Sequence, residues 1–356
     1  MKIGRRGLYS AILCGLTTTA GCRDGDALVV APLAADPGYP EGTAVLGAKG
    51  YVSMPATFGN AGAAASRVEE IDLATGTILR DFVIESQNPS YDHALSGMKF
   101  DGVGRLYVLA VPGAMIRLTL GAHPSQQIYA TFPDLPPCAV AAPAPCSPMP
   151  VDLPSLPNDM AFGPDGSAYV TDSLQATIFR VPPGGGEAQI WFQDPRLIAF
   201  DLGANGIAIA PDQRSLYFSV SLGGPTAGSI FRLPLVARPT GADLELFYQY
   251  LPTEGPDGLA FSRGGKLFVT LPGVNAVSVL LADGTEERRY TGEAVSRDGK
   301  DAMPFDAPAT LTFVDDMPAV IMANHALVSR DTSHFAVLGL RVSDAGLPLI
   351  RPKNLP

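Results

Sequence analysis

Apolar and polar positions along the chain repeat one short phrase. A polar residue and a small one lead into an apolar stretch, then a Gly or Asp turn, then a second apolar stretch. Glu41-Gly42-Thr43-Ala44-Val45 precedes Gly50-Tyr51-Val52, and Ser96-Gly97-Met98-Lys99-Phe100 precedes Arg105-Leu106-Tyr107-Val108. Asn158-Asp159-Met160-Ala161-Phe162 runs through Pro164-Asp165-Gly166 to Ala168-Tyr169-Val170, which reads as strand, turn and strand. Asn205-Gly206-Ile207-Ala208-Ile209 and Asp257-Gly258-Leu259-Ala260-Phe261 are followed in the same way, and Ala309-Thr310-Leu311-Thr312-Phe313 completes the set. The phrases start at 41, 96, 158, 205, 257 and 309, spaced 47 to 62 residues apart. Propeller blades recur at roughly 40 to 50 residues, so the pattern predicts an all-β, six-bladed β-propeller over 38–350. A Pro-rich insertion at 133–157 accounts for the widest interval. Residues 23–37 read as a linker, within which 28–33 are expected to supply an outer strand to the last blade and remove its free edge.

Composition fits many short buried strands joined by tight turns. Only 17% of residues are charged, 46% are hydrophobic, and 38 Gly and 33 Pro punctuate the 356 residues. The formal charge of −10 excludes a nucleic-acid phosphate backbone as the expected partner. An acidic chain is instead suited to collecting metal cations.

The N-terminus reads as an export signal over 1–22. Lys2, Arg5 and Arg6 precede the apolar run Leu8 to Leu16, and Thr19-Ala20-Gly21-Cys22 resembles a bacterial lipobox, with Cys22 the lipidated residue. Ordinary secretion or a short uncleaved anchor is the alternative. The expected location is therefore the periplasm or outer membrane, with contact to the membrane only through the lipid. Cys138 and Cys146 are expected to pair as a clip on the insertion. A monomer is the expected state of a closed propeller.

The innermost strand of every blade runs along the central tunnel, so equivalent positions of different blades converge near one mouth. The first position of the phrase holds Glu41, Ser96, Asn158, Asn205, Asp257 and Ala309. Two carboxylates and two carboxamides are hard oxygen donors, the set Ca2+ prefers, whereas softer metals call for His or Cys. Each dipeptide alone also reads as an ordinary turn.

The phrases 157–166, 204–212 and 256–261 resemble the SMP-30/gluconolactonase family, over about residues 38 to 350. The resemblance implies a divalent cation held by Glu41, Asn205 and Asp257, with Asn158 a ligand or substrate contact. It also implies kinship to paraoxonases and diisopropyl fluorophosphatase, and hence hydrolysis of lactones, esters or phosphotriesters. Gluconolactonase-like members place an Arg where this chain has Leu156, which points away from sugar lactones. The segment 322–326 resembles the last blade of diisopropyl fluorophosphatase, which makes His325 a catalytic candidate. Ser96, Asp159 and His93 are candidate substrate contacts. The expected activity is calcium-dependent hydrolysis of a small lactone or ester, the ion polarising the carbonyl and Asp257 acting as general base. Direct nucleophilic attack by Asp257 is the competing mechanism. Two further readings are a non-catalytic propeller with structural calcium and a strictosidine-synthase-like propeller. No Gly-x-Ser-x-Gly elbow, His-Glu-x-x-His or phosphate loop occurs in the sequence.

Overall fold

A computed structural model describes residues 23–36, 38–54, 64–140 and 145–351. The export signal, including Cys22, lies outside the described residues. Six sheets of four or more strands are arranged in sequence order as the blades of a propeller. Blade 3, for example, is built of Pro157–Phe162, Ala168–Asp172, Thr177–Val181 and Gln189–Gln193, each antiparallel to the next. Helical structure among the described residues is confined to 3-10 turns of three residues.

The core is divided among the blades. Six apolar clusters lie one between each pair of neighbouring blades: Phe179 with Met160 and Leu109 between blades 2 and 3, and Phe218 with Tyr169 and Trp191 between blades 3 and 4. A strand sandwiched this way is covered on both faces. Leu106–Val111 and Ser215–Val220 are accordingly buried at every position rather than at alternate ones. Burial of apolar area at about 25 cal/mol per Å² then ties each blade to both neighbours.

Closure comes from the N-terminal side. Ala27–Pro32 pairs antiparallel with Ala336–Arg341 as an outer strand of blade 6, Leu28 opposite Gly339. Part of the stretch read as linker is thus blade structure. The Pro-rich insertion folds back onto blade 3, where Ser147 Oγ donates to the Gln175 carbonyl at 2.8 Å. Cys138 and Cys146 are joined by a disulfide.

Four of the six innermost strands share one irregularity. Register shifts fall between Leu95 and Met98, Pro157 and Met160, Ala204 and Ile207, and Pro308 and Leu311. Each such bulge sits on the first two residues of the repeated phrase, and a bulge re-aims side chains away from the regular pleat. The small second residue is explained by close approach. A Cβ on Gly206 would lie 2.0 Å from the Asp257 carbonyl oxygen, and one on Gly42 would lie 2.5 Å from that of Ser96. These dipeptides are where neighbouring inner strands touch, not turns.

Candidate metal and substrate site

Glu41, Ser96, Asn158, Asn205, Asp257 and His325 line one cavity of about 550 Å³ at a mouth of the tunnel. All six are buried, Asn205 to 2% exposure. The first position of the phrase puts a polar side chain of each of blades 1 to 5 into this cavity, on a bulge in blades 2 to 4, while blade 6 has Ala309 there and contributes His325 from the end of Ala319–Asn324.

The two carboxamides are held by a repeated device. Asn158 Nδ2 donates to Ser173 Oγ at 3.0 Å, and Ser173 Oγ donates to the Ala204 carbonyl of the next blade at 2.7 Å. Asn205 Nδ2 donates to Ser221 Oγ at 2.9 Å, and Ser221 Oγ donates to the Pro256 carbonyl. With both nitrogens engaged, Oδ1 of each amide is left facing away from the serine. Asn158 Oδ1, Asn205 Oδ1 and Asp257 Oδ1 are buried with no hydrogen-bond partner. Unpartnered buried acceptors cost about 1–3 kcal/mol each, so three in one cavity fit a bound cation.

The electrostatics agree. Burial pushes the Asp257 carboxyl well above its ordinary range, and the Glu41 and Asp159 carboxylates push it further in the same direction. A cation among these groups would reverse that push. Hard oxygen donors of this kind match Ca2+. No group of three or more His, Cys, Asp or Glu side chains disposed to hold a metal occurs among the described residues. A cation here therefore depends on the carboxamides as much as on Glu41 and Asp257. His325 Nε2 lies 2.9 Å from Glu41 Oε2 yet is not aligned as a hydrogen bond, since the nitrogen counts among the unpartnered atoms. Its ring packs edge-on against Tyr39, centroids 4.4 Å apart.

Two expectations are corrected. Asp159 is not among the residues lining the cavity: it is 1% exposed, accepts from the backbone N–H of Met160 at 2.8 Å and of Ile207 at 3.2 Å, and lies 3.5 Å from Lys99 Nζ. It occupies the position glycine holds in four other blades and staples blade 3 to blades 2 and 4. His93 is also absent from the lining, because its ring nitrogens face the carbonyls of Tyr91 at 2.9 Å and Ala64 at 3.1 Å. Ser96 does line the cavity, although its hydroxyl hydrogen is committed to the Pro157 carbonyl at 2.7 Å.

The sequence pattern does not single out Ser173 and Ser221. Their signal is a hydroxyl closing the second strand of a blade, 15 or 16 residues after the Asn. Asp172 is not singled out either. Its carboxylate accepts from Ser155 Oγ and from the N–H groups of Leu156, Leu174 and Gln175, all within 3.0 Å, and so holds the loop that brings Leu156 to the cavity. Asp172→Ala is expected to lower stability by about 3 kcal/mol, because it strands several buried donors. Urea unfolding checks it, and a loss below about 1 kcal/mol would contradict this role.

A family model described as SMP-30/Gluconolactonase/LRE-like region matches residues 150–295. Those residues are an SMP-30/gluconolactonase/LRE-like region. The match spans blades 3 to 5 and includes Asn158, Asn205 and Asp257. Among solved structures, a calcium-binding protein named regucalcin from Agrobacterium tumefaciens is 18% identical, with 91% of this chain and 96% of that one covered at a TM-score of 0.60. A gluconolactonase from Xanthomonas campestris is 17% identical, with 89% of each chain covered and a TM-score of 0.57. Virginiamycin B lyase from Staphylococcus aureus is 15% identical, with 89% and 99% covered and a TM-score of 0.51. At such identities the likeness is one of fold, and that fold serves a lyase as well as a gluconolactonase. No curated protein matches the chain significantly. At family level, the SMP-30/gluconolactonase region supports a lactonase-type hydrolase.

Proposed function

We propose that this SMP-30/gluconolactonase-like propeller is a calcium-dependent hydrolase of lactones or related esters. The observation that carries the reading is the convergence of three unpartnered buried oxygens, on Asn158, Asn205 and Asp257, with Glu41 in one open cavity. Those four side chains would hold the ion. When bound, calcium supplies positive charge that polarises a carbonyl and stabilises the oxyanion developing on it.

The chain's own residues do the remaining work. Ser173 and Ser221 keep the carboxamide oxygens of Asn158 and Asn205 on the cavity side. The Asp257 carboxylate, through the oxygen not given to the ion, takes a proton from the attacking water as the carbon–oxygen bond forms, and returns it to the alkoxide oxygen as the acyl–oxygen bond breaks. His325 and Tyr39 close the blade 6 side beside Glu41. An enclosed structural ion would leave no room for substrate, and the cavity beside these donors favours the catalytic reading over a calcium-braced scaffold. On this reading the protein is an exported monomer anchored through Cys22 and acts on a small molecule.

The test is hydrolysis of a panel of lactones, aryl esters and phosphotriesters with calcium and with chelator. Chelator-sensitive turnover that calcium restores is expected. Calcium binding without turnover of any panel member would leave a binding module instead.

A further inference from the structure

We infer that the group carried by the substrate beside its scissile carbonyl is an apolar alkyl or aryl group, and that polyhydroxylated lactones are poor substrates. This rests on the hydrolase reading and deepens it. The polar groups of the cavity are concentrated at the starts of the inner strands, whereas the end of the strand Leu106–Val111 supplies Val111 and the loops supply Leu156, Leu202, Leu222, Leu327 and Val328. Val111 and Leu156 belong to one buried apolar cluster, against which Leu202 packs, so a continuous apolar wall runs across blades 2 to 4. Leu327 and Val328 face it from blade 6 and are 40% and 68% exposed.

The carboxylates and imidazole of the lining are those of Glu41, Asp257 and His325, and no Lys or Arg lines the cavity among the described residues. The serine hydroxyls of the lining are already engaged, and Tyr39 and Thr253 bring its remaining ones. Ser96 Oγ donates to the Pro157 carbonyl, and Ser221 Oγ donates to the Pro256 carbonyl while accepting from Asn205. Hydroxyl groups brought against these walls would lose water and gain few partners, which disfavours them. Methylenes would lose water at a gain of roughly fourfold in affinity each. A cavity of about 550 Å³ leaves room for such a group next to the reacting carbonyl.

The test uses the calcium-loaded protein and γ-lactones with unbranched alkyl groups from methyl to hexyl, with gluconolactone as the polyhydroxylated member. Matching γ-alkyl lactams, which resist hydrolysis, report binding by calorimetry independently of turnover. Lactam affinity and lactone kcat/KM are expected to rise roughly two- to fourfold per methylene until the wall is covered. Leu202→Ser should flatten that rise, and Leu327→Ser, at an exposed position, serves if the first variant does not fold. Lactam binding that lengthens with the chain while no lactone turns over upholds the apolar wall and removes the hydrolase reading. Independence from chain length in both readouts, whether through equal binding or none, overturns the inference. So does preference for gluconolactone.

Discussion

Asp257→Asn is expected to lower lactone turnover by roughly 10²- to 10⁴-fold, the range lost with a general base, while the propeller stays folded. The change keeps the volume and removes the charge that both binds the cation and takes the proton. Its effect on the metal-free protein has the opposite sign. The folded-state Asp257 carboxyl is raised above its ordinary value of 3.8 by burial and by Glu41 and Asp159. The folded chain therefore holds a proton that the unfolded chain has released, and stability is lost as pH rises from that value through the raised one. Asp257→Asn removes this loss, so in chelator the variant should be the more stable protein at neutral pH. Denaturant melts across pH with chelator, set beside kcat/KM with calcium, measure both. Undiminished turnover in the variant would remove Asp257 from the chemistry.

The second large effect is expected from two side chains outside the set that would hold the ion. Ser173→Ala and Ser221→Ala should each weaken calcium binding about 10- to 100-fold, the usual cost of losing an outer partner of a metal ligand. Each removes the acceptor that turns an amide nitrogen away from the cavity. Without it, nothing sets which end of the carboxamide faces the ion. Calcium titration reads the loss directly, and Ser→Thr at the same positions should restore much of it because the hydroxyl returns. Affinity unchanged in both alanine variants would mean that the carboxamides are oriented by something other than these serines.

Part of the candidate site is legible in the sequence. Glu41, Asn158, Asn205 and Asp257 stand at one position of a repeat, and a propeller brings equivalent positions together at the tunnel. His325 enters through a resemblance and does line the cavity. The expectations for Asp159 and His93 fail for a common reason, because proximity in sequence to a site residue says nothing of direction. Asp159 follows Asn158 immediately, yet the bulge sends its side chain between blades.

The all-β class, the six repeats, their turns and the polar residue that starts most of them are written in the chain alone. Periodicity and turn chemistry are local, so a linear pattern records them. Burial of the second strands on both faces follows only from the assembled propeller, because it depends on a neighbouring blade. Assembly also shows that Gly206 and Gly42 permit contact between inner strands instead of forming turns. The bulges that carry Asn158 and Asn205, the serines that aim them, and the apolar wall above them are likewise products of closure. Such features join residues from different blades, and no local rule of the chain encodes which blades will meet.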